Sequence, residues 1–165
     1  MADWQDLAAE VGAMLKEKGQ TVAVAESSAG GLISAALLAV PGASAYFKGG
    51  GACYTGDSKQ ILMGISLEDM AKERASTETH AIVLAKSAVN RLGATWGIGE
   101  TGAAGPTGNR YGDGPGHCCI GVAGLLECVV TIETGSEDRA ENMLAFTDAA
   151  LKLLKECIET QASST

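Results

Sequence analysis

The 165 residues are enough for one domain that buries about two-thirds of its unfolded surface around a single core. Twelve Lys and Arg against twenty Asp and Glu give a net charge of -8, which leaves no basic face for a nucleic-acid backbone and argues against that partner. Apolar residues make up 46% but aromatics only 4%, so the core is expected to be aliphatic, with many of the 22 glycines placed at turns.

Along the chain, Trp4, Leu7, Val11, Met14 and Leu15 recur at helical spacing, with Asp3 available as a cap and Gly19 as a stop. TVAVA at 21–25 reads as a short buried strand, ESSAGG as a turn, and GLISAALLAV as a helix ended by Pro41-Gly42. Small residues dominate that helix, which suits close packing on a sheet. A second strand is expected within 45–55, where Gly49-Gly50-Gly51 suggests a bulge or a close backbone approach. A short helix from Asp57 to Met63 carries Lys59. Ser66 with Asp69 has the form of a capping box, and a helix follows from Thr77 to Arg91. ATWGIGE at 94–100 reads as a strand, 101–116 as a long glycine loop, and HCCIGVAG with ECVVTIET as a hairpin through Gly124-Leu125. Ser136 or Asp138 opens the last helix, which runs to Cys157 and leaves a small, polar, frayed tail after Thr160.

Alternating strands and helices followed by a hairpin and a terminal helix predict an α/β fold: one layered domain over residues 1–160 with a mixed β-sheet flanked by helices, and a polar tail at 161–165. Five cysteines (Cys53, Cys118, Cys119, Cys128, Cys157) without CxxC spacing suggest a reducing compartment and small buried hydrophobes. No metal site is expected, since only His80 and His117 could join them. Neither a leader nor an apolar run of roughly 18 residues is present, so the expectation is a cytoplasmic protein with no membrane partner.

Two segments could carry chemistry. In AESSAGG at 25–31, a serine follows a strand and precedes a helix, where hydroxyl and backbone N–H groups gather with positive helix-end potential. Ser27 or Ser28 is a candidate nucleophile there, or merely a helix cap. Glu26 is either a substrate-binding carboxylate or a polar strand end. The segment does not match the GxSxG elbow. The second segment runs from Thr101 to Gly116, where six of sixteen residues are glycine. It lacks the ending of a P-loop and the GxGxxG spacing of a dinucleotide fold, yet its N–H groups could hold a phosphate or ribose. It could equally be a mobile connector. Arg110 could neutralise a phosphate or simply be solvated. Tyr54 ends a strand and Lys59 lies a turn into a helix. Both are ordinary surface residues unless the fold brings them to a serine, because a desolvated lysine is one of few side chains able to activate a serine hydroxyl.

These segments together resemble the C-terminal domain family of the competence-damage protein CinA, the nicotinamide mononucleotide deamidases. The family's AES, two variable residues and GGL is matched by AESSAGGL at 25–32, and PGSS-x-YF-x-GG is echoed by PGASAYFKGG at 41–50. Its YxNxxK becomes YTGDSK at 54–59, and its TGIAGPxGG becomes TGAAGPTGN at 101–109. The resemblance spans almost the whole chain. It implies an amidohydrolase that converts nicotinamide mononucleotide to nicotinic acid mononucleotide and ammonia, with Ser27 as nucleophile, Lys59 as general base and Tyr54 in the proton network. Substrate-binding residues would be Glu26, Ser28, Gly30, Gly31, Thr101, Gly102, Ala104, Gly105 and Arg110, with N–H groups near Ser28 or Gly30 facing an oxyanion. No metal or organic cofactor is implied. The partner would be a small pyridine mononucleotide, and the resemblance suggests a homodimer or higher homo-oligomer.

Departures are specific. The family's Cys-Thr after the serine is Ser28-Ala29, its Asn in YxNxxK is displaced by Gly56, Asn109 replaces a glycine, and Glu100 adds a charge before the loop. The family's separate N-terminal nucleotide-binding domain is expected to be absent, leaving a stand-alone form. The alternatives are a deamidase for a different amide, a silent mononucleotide-binding module, and a structural or regulatory domain.

Overall fold

The computed structural model describes residues 3–164. Helix α1 (Asp3–Lys18) leads into strand β1 (Val22–Glu26), helix α2 (Leu32–Leu38), a single 3-10 turn at Ala43–Ala45 and strand β2 (Phe47–Ala52). Helices α3 (Gly56–Met63), α4 (Leu67–Lys72) and α5 (Glu78–Leu92) precede strands β3 (Trp96–Ala103), β4 (His117–Ala123) and β5 (Cys128–Glu133), and α6 (Arg139–Ser163) closes the chain. The capping role expected of Asp3 lies outside the described side chains.

The five strands form one sheet in the order β2-β1-β3-β4-β5. β1 pairs in parallel with β2 and β3, while β3-β4 and β4-β5 are antiparallel, so the sheet is mixed as expected. Alternation sorts the side chains between two layers. Val22, Val24, Trp96, Ile98, Ile120 and Val122 face one core with residues of α1, α2 and α6. Ala23 and Ala25 face the other, with Met63, Leu84 and Ala88.

On the second face small residues let a helix lie directly on the strands. A Cβ at Gly99 would stand 2.1 Å from the Ala81 carbonyl oxygen, and one at Gly97 would stand 2.2 Å from that of Ala85. Backbone cannot yield as a side-chain tip can, so Gly99→Val is expected to destabilise the fold by about 3 kcal/mol. Gly114→Ala, where a Cβ meets nothing within 4 Å, should stay within about 0.5 kcal/mol of wild type. Urea denaturation of the two variants checks the contrast.

Several expectations hold in detail. The bulge anticipated from the three glycines is present: Val22 pairs with Phe47 but Ala23 with Gly49, which leaves Lys48 as the extra residue. Ser66 accepts a hydrogen bond from the Asp69 N–H, Thr77 caps α5, and Asp138 rather than Ser136 caps α6. All five cysteines are free thiols. No helix among the described residues is long and apolar enough to cross a membrane.

Three boundaries differ. α2 ends at Leu38, short of Val40. α6 continues through Ser163, so the segment read as a frayed tail is helical over most of its length. β3 runs three residues past Glu100, because Thr101, Gly102 and Ala103 pair with Cys119, Cys118 and His117. The glycine loop therefore starts at Ala104 rather than Thr101.

Candidate active site

The parallel strands β2, β1 and β3 end together, and the candidate residues gather at those ends. β1 finishes at Glu26, beside Ala52 of β2, and the Cys53 N–H donates to the Glu26 carbonyl at 2.6 Å. The chain then turns through Ser27–Gly31 into α2.

Glu26 is fully buried and its carboxylate is committed to that helix. One oxygen accepts the Ile33 N–H at 3.0 Å, and the other accepts the Ser34 N–H at 3.0 Å and the Ser34 hydroxyl at 2.8 Å. Orphan donors at a helix start need such an acceptor. The N-cap residue, Gly31 at φ 103°, cannot supply one from a side chain. Glu26 is thus a structural cap for α2 in this geometry, a role the sequence reading did not assign to it. The same arrangement removes the capping explanation for the serines. Neither Ser27 nor Ser28 caps α2.

The two serines differ sharply. Ser28 Oγ donates to Glu100 Oε2 at 2.5 Å. The Ser27 N–H at 3.2 Å and the Ala29 N–H at 2.5 Å both donate to Glu100 Oε1. Ser27 Oγ forms no hydrogen bond among the described residues, and the residue keeps 9% of its surface exposed. The hydroxyl at liberty to react is therefore that of Ser27. Gly30, expected as a possible oxyanion donor, has its N–H bonded to the Ser27 carbonyl at 3.0 Å. The Ser28 N–H has no partner among the described residues and is the remaining candidate.

Glu100 was legible only as an added charge before the loop, yet it is the hub of the turn. It is fully buried on β3, and burial pushes its carboxyl above the usual carboxylate range. Hydrogen bonds from Ser28, Ala29 and Ser27 pull it back, while neighbouring Glu26 raises it further. Because two backbone donors occupy Oε1, any proton on Glu100 sits on Oε2, facing Ser28.

Lys59 projects from α3 and is only 5% exposed. Its Nζ lies 3.0 Å from His80 Nε2, on the first turn of α5. No carboxylate lies within ion-pair distance of that amine among the described residues. Burial lowers the Lys59 pKa from the ordinary lysine value, opposed by the charges of Cys53 and Glu100. Burial, and then the Lys59 charge, lower His80 to about 4, so its ring is neutral near pH 7. Sequence reasoning weighed His80 only as a metal ligand. Its one signal is a histidine among the apolar residues of an amphipathic helix.

Tyr54 does not join this pair. It is 61% exposed, and its phenol oxygen accepts from Arg139 Nη2 at 3.3 Å. Among the described residues Tyr54 makes no hydrogen bond to Lys59, whose amine meets His80 instead. Arg139, at the start of α6, also donates through Nη1 to the Gly105 carbonyl, and so links Tyr54 to the glycine loop. Nothing in the sequence beyond its place after the Asp138 cap marks Arg139.

The loop is tied down by its own polar contacts. Asp113 accepts Arg74 at 2.8 and 3.4 Å and the Asn109 amide at 2.8 Å, while Asn109 accepts the N–H groups of Tyr111 and Asp113. Arg74 and Arg110 lie over the Tyr111 ring at 4.7 and 5.0 Å. Arg110 is exposed and donates to the Tyr111 hydroxyl at 2.9 Å. Thr101 Oγ1 accepts the Ser76 N–H at 2.9 Å, Gly102 pairs within the sheet, and the Ala104 carbonyl accepts from Asn142 at 2.8 Å. Thr101 and Gly102 thus lie in β3 and not in the loop where the sequence reading placed them.

Comparison with known proteins agrees with this architecture. Residues 4–158 match the model of the CinA C-terminal domain. A CinA-like protein of Synechococcus elongatus is 41% identical over 127 residues, 77% of this chain and 30% of that protein. One from Gloeobacter violaceus is 37% identical over 157 residues, 93% of this chain and 37% of that protein. The chain thus spans only about a third of the length of such relatives. Among solved structures, the competence/damage inducible protein CihA of Agrobacterium tumefaciens superposes with a TM-score of 0.87 at 29% identity, covering 94% of this chain and 95% of that one. A CinA superfamily protein of Klebsiella pneumoniae, 22% identical, has the same fold at a TM-score of 0.88, over 95% of this chain and 98% of its own. By its matched family model, its relatives and its fold, the chain belongs to the CinA C-terminal domain family.

Proposed function

We propose that this chain is a serine amidohydrolase that cleaves the carboxamide of nicotinamide mononucleotide to give nicotinic acid mononucleotide and ammonia. The observation that carries the reading is a pair of side chains: among the described residues, a serine hydroxyl just past the end of β1 has no hydrogen-bond partner and a buried lysine amine has no counter-ion. A lysine so placed loses its proton more readily and can serve as the base that serine lacks.

In this mechanism neutral Lys59 takes the Ser27 proton as Oγ attacks the amide carbon. The oxyanion meets the Ser28 N–H, whose turn is held by Glu100. Lys59 returns the proton to the departing nitrogen, releasing ammonia and leaving an ester on Ser27. Water, deprotonated by the same amine, then cleaves the ester to the acid. Arg139, fixed between Tyr54 and Gly105, supplies a cation for the nucleotide phosphate.

A second reading, a module that binds the mononucleotide without turning it over, draws on one observation. Tyr54 is exposed and bonded to Arg139 rather than to Lys59. Ammonia release from nicotinamide mononucleotide separates the two. Ser27→Ala is expected to lower the rate about a thousandfold or more. Ser28→Ala, which keeps both backbone bonds to Glu100, should stay within about tenfold of wild type. Binding without ammonia release in the wild type would establish the silent module instead.

A further inference from the structure

Resting on the deamidase reading, we propose that His80 is a positioning residue that holds the Lys59 amine with its lone pair turned to the serine. The pair is closed off: Lys59 is 5% and His80 2% exposed, and their nitrogens are 3.0 Å apart. The other ring nitrogen, Nδ1, is buried and has no hydrogen-bond partner among the described residues.

Hydrogen-bond accounting leaves two arrangements. If Nε2 carries the ring proton, it donates to the lysine lone pair and the base is masked. If Nδ1 carries it, Nε2 accepts an N–H from Lys59 and the lone pair is left for Ser27. The groups facing the pair are the backbone of Glu73 beside His80, Cys53 just past the end of β2, and Glu100 on β3. Among the neighbours of His80, the backbone of Glu73 favours a proton on the ring. An N–H at Nε2 would in turn oppose a protonated Lys59, so Nε2 is the acceptor whenever the amine is charged. The amine that gives up its proton from that state keeps its bond to Nε2 and exposes its lone pair elsewhere.

A neutral acceptor suits this task. It orients the amine without stabilising the ammonium, whereas a carboxylate at the same place would fix the charge. Three variants separate orientation from simple packing. His80→Gln retains a carbonyl acceptor and is expected to keep kcat within about fivefold. His80→Leu removes the acceptor and should lower kcat about 10- to 100-fold with KM little changed. His80→Glu should move the acid limb of the kcat/KM profile up by about one pH unit or more.

The decisive readout is independent of substrate: NMR titration of the Lys59 side chain, labelled with 13C at Cε, in wild type, His80→Gln and His80→Glu. An upward shift in His80→Glu alone is the expected result. An unchanged titration there, or full kcat in His80→Leu, would overturn the role of His80. A shifted titration in a protein that releases no ammonia would overturn the deamidase reading while the Lys59–His80 pair stands.

Discussion

Lys59→Met is expected to lower kcat for ammonia release about a thousandfold or more, because in the proposed mechanism it removes the base that takes the serine proton. The fold should survive the change. Methionine fills a similar volume, and the substitution deletes a charge whose burial is unfavourable. The wild-type pH profile is the companion measurement. Burial lowers the Lys59 pKa, and in the proposed mechanism the neutral amine is the active form. Activity should therefore rise with pH through that pKa and level off above it, with the limb below the ordinary lysine range. Stability carries the same sign. A depressed lysine pKa makes burial of the ammonium costly below the folded-state value, and the cost disappears as pH rises toward the unfolded-state value. Lys59→Met should lack that pH dependence. Full activity in this variant would remove Lys59 from the mechanism.

Glu100→Ala should cost about 4 kcal/mol of stability and most of the activity, since it strands two backbone donors and one hydroxyl at a buried position. Glu100→Gln is milder. Its carbonyl oxygen can keep the Ser27 and Ala29 N–H groups, and its amide can donate to Ser28, so the loss should be about 1 kcal/mol. The pH dependence of this pair has a defined direction. The folded-state pKa of Glu100 is raised, chiefly by burial, so its stability contribution is complete below the unfolded-state value and declines as pH rises through the folded-state value. Wild type should therefore lose stability relative to Glu100→Gln across that window. Urea denaturation at several pH values reads both effects.

Much of the architecture was written locally. Helical spacing, the Ser66, Thr77 and Asp138 caps, and the valine-rich first strand needed no long-range information. Ser27 and Lys59 were legible through motifs whose spacing the family resemblance supplied. What was not legible is what tertiary closure creates. Glu100 is a strand-end acid until β1 and β3 lie side by side and bring the serine turn to it. His80 is a polar residue on a helix until α5 covers α3. Glu26 illustrates the converse: its type fits a ligand site, but the bare helix start at Gly31 claims it first. Arg139 lies 85 residues from Tyr54 in sequence, so no local pattern could pair them.

The substitutions at the turn also acquire a physical meaning. Ser28 and Glu100 form one hydrogen-bonded unit, with Ala29 contributing its N–H to the same carboxylate. With Ser28 and Ala29 both bonded to Glu100, the Ser27 hydroxyl keeps no hydrogen bond among the described residues.

In the proposed mechanism Ser27 carries the acyl group. That role is tested most directly by acid quench during turnover of nicotinamide mononucleotide, followed by mass spectrometry of peptides. An ester of nicotinic acid mononucleotide is expected on Ser27, retained in Ser28→Ala and lost in Ser27→Ala. An adduct on Ser28, or undiminished ammonia release from Ser27→Ala with no ester, would contradict it.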